Sequence, residues 1–149
     1  MIKKIAESVK QPLSYNRISR ILSSVGGKIS VPTVGNYVQY CQDAWLLLRM
    51  HNIASPFVEK ETISKYYFTD NGILNLFLID ADTSLLENLV AVTLLRKYGN
   101  DPDNERVFYY NSGVEVDFFV PDEGLAIQVC YNLSHSDGTY EREVSALKK

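Results

Sequence analysis

Apolar positions in the first part of the chain recur at helical spacing and then give way to short continuous runs. Ile2, Ile5 and Val9 form a short stripe of the kind that marks a helix with one buried face. Gln11-Pro12 interrupts it, because proline disfavours helix in the residue before it. Ser14 is placed to cap a helix through Leu22, on which Tyr15, Ile18, Ile21 and Leu22 share a face. Gly26-Gly27 ends that segment. Ser30-Val31-Pro32-Thr33 starts the next, with proline in the first turn, where a missing N–H costs nothing. Val34, Tyr37, Val38 and Cys41 then line a helix ending near Asp43. Residues 46–50 and 64–68 are short apolar runs that read as strands, joined by a loop holding Asn52, Ser55 and Pro56.

Asp70-Asn71-Gly72 marks a boundary, with Asp70 as the cap of a short apolar helix through Leu78. The stretch 85–98 is a helix with so little polar surface that burial on more than one side is expected. After a turn at 101–104 come strands at 106–110 and 114–120, a tight turn at 121–124 and a strand at 125–133. The charged stretch 140–149 reads as the start of a helix, an unusual place for a domain to stop, so a truncated domain is expected. Side chains alternate faces along a strand, so Val114, Val116, Phe118 and Val120 share one face and Glu115 and Asp117 the other. If the turn pairs Val120 with Leu125, Asp117 lies opposite Gln128 and Glu115 opposite Cys130. Carboxylates flanked by Phe118 and Phe119 need solvent, a partner or a cation.

The composition, 149 residues with 46% apolar and 22% charged, is that of a globular protein. It contains no apolar run of about 18 residues, so no membrane span is expected. The polar N-terminus lacks a secretory core, and Cys41 and Cys130 lie far apart. A cytoplasmic chain with reduced thiols is therefore expected, with neither a structural zinc site nor a disulfide framework. The net charge of -3 conceals a division: residues 1–65 carry nine bases against four acids, and residues 66–149 carry six against fourteen. The basic half could therefore meet DNA even though the whole chain is acidic.

Three short helices followed by a two-stranded ribbon is the layout of a winged helix-turn-helix. Two modules are expected, 1–70 and 71–149. Arg17, Arg20, Lys28, Lys60 and Lys65 are candidate phosphate contacts, and Thr33, Asn36 and Gln39 candidate base contacts. The would-be recognition helix holds no Lys or Arg, which leaves protein docking as an equal reading. Gly26-Gly27-Lys28 lacks the spacing of a phosphate-binding loop, so ATP is not expected to bind this chain. His51 and His135 read as surface histidines.

Ser84-Leu-Leu-Glu87-Asn88-Leu-Val90, Gly113-Val-Glu115-Val-Asp117-Phe and Ile127-Gln128-Val-Cys130 together resemble the PD-(D/E)XK restriction-endonuclease-like core. More narrowly, the chain is similar to the C-terminal region of predicted prokaryotic AAA+ ATPases, in which a P-loop domain precedes a winged helix and this nuclease-like domain. Asn16-Arg-Ile-Ser-Arg-Ile-Leu, Thr33-Val-Gly-Asn-Tyr-Val and Tyr66-Tyr-Phe-Thr-Asp70-Asn-Gly72-Ile fit the same pattern in order. The resemblance implies an ATPase domain in cis, with ATP bound there. It also assigns nuclease positions: Glu87 and Asp117 as Mg²⁺-holding acids, Gln128 in place of the second strand acid, and Cys130 in place of the lysine. Losing one metal charge and the water-activating cation together should abolish most hydrolysis.

The expected function is therefore a non-catalytic region that binds DNA or a protein. Two alternatives remain: a weak Mg²⁺-dependent nuclease using Glu87, Glu115 and Asp117, and an oligomerisation or docking module built on the apolar helix 85–95. Each candidate also has a purely structural explanation. Ser84-x-x-Glu87 is a capping box, Asp117 could pair with Arg106, Gln128 could bond across the ladder, and Cys130 could be a small buried hydrophobe.

Overall fold

The computed structural model describes residues 1–79, 81–101, 104–132 and 144. The helix expected at 140–149, residue 144 apart, and His135 lie outside that set. The chain is a mixed α+β protein. Its first part runs α1 (Ile2–Ala6), β1 (Leu13–Ser14), α2 (Tyr15–Gly26), α3 (Val31–Asp43), β2 (Leu47–Met50), α4 (Phe57–Lys60) and β3 (Ile63–Phe68). Both helix caps form as the sequence predicts. Ser14 Oγ accepts from the Arg17 amide at 3.2 Å and Ser30 Oγ from the Thr33 amide at 3.3 Å, giving exposed helix-start donors a partner. Helix α2 continues past Leu22 and ends at Gly26-Gly27, the pair that the sequence marks as its stop. Ser19 Oγ donates to the Ile29 carbonyl at 2.6 Å and Ser23 Oγ accepts from the Ile29 amide at 3.0 Å, which fixes the turn into α3.

Strand β3 is the centre of an antiparallel sheet ordered β1-β3-β2, with Leu47 opposite Phe68 and Met50 opposite Lys65. Every residue of β3 after Ile63 is buried, so both of its faces are covered. Asp70 caps α5 (Asn71–Asn75), its carboxylate accepting from the Gly72 and Ile73 amides. The long helix α6 spans Asp82–Tyr98 and buries Glu87, Asn88, Ala91 and Leu95. Leu85 and Val90, partly buried, flank that side and widen the covered surface. A short ribbon of β4 (Asn100–Asp101) and β5 (Asn104–Glu105) leads to a second antiparallel sheet, ordered β6 (Phe108–Asn111), β7 (Glu115–Val120), β8 (Leu125–Ile127). Val120 pairs with Leu125 as the turn predicts, but β8 stops at Ile127 rather than Leu133.

The segment between β2 and α4 stitches the two sheets together. The Ile53 amide donates to the Tyr109 carbonyl and the Tyr109 amide to the His51 carbonyl, both at 3.0 Å. The Asn52 side chain completes the join, accepting from the Asn111 amide at 3.0 Å and donating to its carbonyl at 2.9 Å. One apolar core accordingly runs from Ile5 and Val38 through Phe68 and Leu94 to Phe118 and Val120. No helix among the described residues is long and apolar enough to cross a membrane.

Candidate functional site

The acids of the expected nuclease site meet a lysine that the sequence assigned elsewhere. Lys65, on the central strand β3, has no solvent exposure. Its ammonium lies 3.5 Å from Glu87 Oε1 on α6, and 3.2 Å from Glu115 Oε1 and 3.3 Å from Asp117 Oδ1 on β7. Alternation along β7 does not by itself bury both acids. Asp117 is buried, whereas the Glu115 side chain remains 47% exposed at the strand end. The Tyr109 ring closes another side of the ammonium, its centroid 5.4 Å away, which adds a cation–π contribution.

Asn88 sets the register of α6 against β3. Its amide accepts from the Phe68 N–H at 2.7 Å and donates to the Phe68 carbonyl at 2.8 Å and to Asn71 Oδ1 at 2.8 Å. Pinning Asn88 to β3 delivers the adjacent Glu87 to Lys65. Glu87 Oε1 also accepts from the Tyr67 hydroxyl at 3.0 Å. Asp117 is held from both ends: Oδ1 faces Lys65 and Oδ2 accepts from the Val129 amide at 2.9 Å. Gln128 does bond across the ladder, Oε1 accepting from the Asp117 amide at 3.2 Å.

Burial alone would lower the Lys65 pKa, but Glu87, Asp117 and Glu115 together raise it above the ordinary lysine value. Glu87 is pushed up by burial, with Lys65 opposing the shift. The Tyr67 phenol is held well above its usual range by burial and by the neighbouring Glu87. In chemical terms the cluster is an ammonium wrapped by carboxylates whose buried oxygens already have partners. Among the described residues, no group of three or more His, Cys, Asp or Glu side chains is arranged to hold a metal ion.

Several expectations need correction. Lys65 cannot touch phosphate, because it is buried, with its ammonium against Glu87, Glu115 and Asp117. Glu87 does not close a capping box: α6 begins at Asp82, so Ser84 lies inside the helix, and Glu87 faces Lys65 and Tyr67. Arg106 pairs with Asp122 at 3.0 Å and leaves Asp117 to Lys65. His51 is not a surface residue; its side chain is 13% exposed and its Nδ1 bonds to Glu105 Oε1. Cys130 is half-buried, and its thiol donates to the Asn132 carbonyl at 3.0 Å.

Arg17, Arg20 and Lys28 are exposed on α2 and the turn after it, and Asn36 is exposed on α3. Two of the candidate base contacts are already engaged: the Thr33 hydroxyl bonds to Ser30 at 2.7 Å, and Gln39 donates to Asp43 at 2.8 Å. The residue patterns gave Lys65 the wrong role, as a phosphate contact, and missed Tyr67 and Glu105. A lysine heading the run Lys65-Tyr-Tyr-Phe68 in an otherwise buried strand was the available signal for the first.

Over 141 residues the chain is 34% identical to an uncharacterised protein of Methanocaldococcus jannaschii, covering 92% of this chain and 31% of that relative. The chain thus spans about a third of the relative's length. No solved structure matches it. Residues 1–85, more than half of the chain, match the family described as a domain of unknown function, DUF8612, and the chain belongs to that family.

Proposed function

We propose that this chain is a non-catalytic interaction region of a longer protein, a winged helix-turn-helix joined to a degenerate restriction-endonuclease-like domain. The observation that carries this reading is the Lys65 ammonium inside the three carboxylates. A hydrolytic site of this type needs its acids free for Mg²⁺ and its lysine open to a water. Here the lysine is sealed from solvent and its ammonium occupies the place between the acids, so the residues do not fit the metal. Lys65 does not replace the lysine missing at Cys130 as a water activator, since no nucleophile can reach it. The test is incubation of the purified chain with a DNA duplex in Mg²⁺ and in Mn²⁺. No cleavage above that of the Asp117→Ala variant is expected; metal-dependent cleavage abolished by that substitution would overturn the reading.

The partner surface favoured by the structure is aromatic. Tyr37, Tyr40 and Trp45 are exposed on and just after α3, a helix without a cation, which suits a protein partner better than a phosphate backbone. Exposed Arg17, Arg20 and Lys28 favour DNA as the second reading. A gel shift that weakens as salt rises would support it, and no shift at low salt would remove it. Self-association through α6 has less to draw on, since Leu89 is the large apolar residue that stretch exposes. The resemblance to AAA+ ATPases supports a P-loop domain in cis, and the longer relative leaves room for one.

A further inference from the structure

A cleft of about 540 Å³ lies away from the Lys65 cluster, between the end of α3, strand β2, helix α6 and Glu105 of β5. Its lining includes the acids Asp43, Glu61 and Glu105, the Arg49 guanidinium and the His51 imidazole. Arg49 is turned toward β3, where Nε donates to Ser64 Oγ at 2.9 Å and Nη2 to the Lys60 carbonyl at 2.5 Å. Leu48 and Leu95 supply an apolar floor.

Two lining residues bury atoms that have no partner, Gln42 Oε1 and His51 Nε2. The Glu105 carboxylate is hydrogen-bonded to His51 at Nδ1, and the other ring nitrogen, Nε2, is the one without a partner. Gln42 Oε1, an amide oxygen, is therefore an unpaired acceptor on a residue that lines the cleft. Native proteins leave few buried acceptors unpaired, and each such atom gains from a donor that reaches it.

Trp45 stands at the rim in a backbone state that indole residues rarely adopt. It follows α3 with φ of 54°, the left-handed region. The Trp45 amide donates to the Gln42 carbonyl and the Leu46 amide to the Cys41 carbonyl, both at 2.9 Å. This is the Schellman helix end, whose left-handed position is normally glycine. Packing does not explain a tryptophan there, because Trp45 is 77% exposed.

We propose that this cleft binds a guanidinium or alkylammonium group carried on an apolar stem. Trp45 supplies a cation–π face, Glu105 and its neighbouring acids the counter-charge, and Gln42 Oε1 an acceptor. The inference is independent of whether the Lys65 cluster is inert. Such a group could come from a free amine or from the Arg or Lys side chain of a peptide.

Trp45 is the only tryptophan of the chain, so its emission reports on the cleft directly. The whole chain is titrated with agmatine, with neutral butylurea, and with a short peptide containing one arginine. Saturable change with agmatine at about millimolar concentration and none with butylurea is the expected result. Tighter binding of the peptide than of agmatine assigns the group to a protein partner; equal or weaker binding assigns it to a free amine. By calorimetry, Trp45→Gly and Glu105→Gln should each weaken agmatine binding about tenfold. Equal responses to agmatine and butylurea, or full agmatine affinity in both variants, would overturn the proposal.

Discussion

The Lys65 cluster and the Trp45 cleft hold similar residue types in opposite conditions. Around Lys65, buried ammonium, carboxylates, phenol and amide find one another, and the buried carboxylate oxygens have donors within hydrogen-bond reach. In the cleft, acids and an imidazole are also gathered, yet Gln42 Oε1 and His51 Nε2 lack partners and a tryptophan is exposed in a strained conformation. Charged groups in a protein thus say little until their pairing is known. A closed network holds the chain together, whereas an incomplete one has capacity left for something outside it. The site that resembled a nuclease falls in the first class, and a region without a motif falls in the second.

The most severe way to break this contrast is to open the closed network. Lys65→Met keeps the length of the side chain and removes its charge, leaving Glu87 and Asp117 buried without a counter-ion. A loss of about 3–5 kcal/mol in urea unfolding is expected, the range for removing one partner of a buried pair. Adding Glu87→Gln and Asp117→Asn to the same protein should recover most of that loss, since neutral amides do not need the ammonium. A single-variant loss below about 1 kcal/mol would mean that solvent already reaches the cluster, at the level of a surface pair.

The parts of the fold legible in the sequence were those fixed by near neighbours. Ser14, Ser30 and Asp70 cap the helices that follow them because their partners lie two or three residues on. The pairing of Val120 with Leu125 follows from the turn between them. The short strand β1 was missed because two residues carry no period; it exists through pairing with Ser64 and Ile63. Lys65 was misplaced for a related reason. Its partners are 22 and 52 residues away, and a charge count assigns every lysine to the surface. Position-by-position transfer from a resemblance failed in another way, seeking a lysine at Cys130 when the cation enters from β3. The strain at Trp45 could not be read at all, because a positive φ in a non-glycine residue leaves no mark in the sequence.

Alkaline titration probes the same contrast more gently. The folded pKa of Lys65 is raised, so its contribution to stability is fully present below the unfolded lysine value and is lost as pH rises through the folded one. Tyr67 is held well above its usual range, and burial pushes Tyr109 up to about 12. The unfolded chain releases these phenolic protons first, and stability falls as pH climbs above the unfolded tyrosine value near 10. Each retained proton changes the slope by about 1.4 kcal/mol per pH unit. Urea midpoints at about pH 8, 9 and 11 should be nearly level between the first two and drop at the third. The drop should be shallower in the variant lacking Lys65, Glu87 and Asp117 charges, because only the phenols then titrate.

The smallest effect separates strain from contact at the cleft. A left-handed φ is unfavourable for a residue with a Cβ by about 1–2 kcal/mol, partly offset in glycine by its greater chain entropy. Trp45→Gly should therefore stabilise the fold by about 0.5–1 kcal/mol. Trp45→Ala retains the strain and loses only a mostly exposed ring, so its stability should stay within about 0.5 kcal/mol of the parent chain. The difference between the two variants isolates the backbone term, because neither keeps the indole. If Trp45→Gly is instead destabilised as much as Trp45→Ala, the indole contributes to folding, and its place at the rim follows from packing. If glycine gains where alanine does not, the native tryptophan is held against the stability of the fold, as expected of a side chain kept for what it contacts outside the chain.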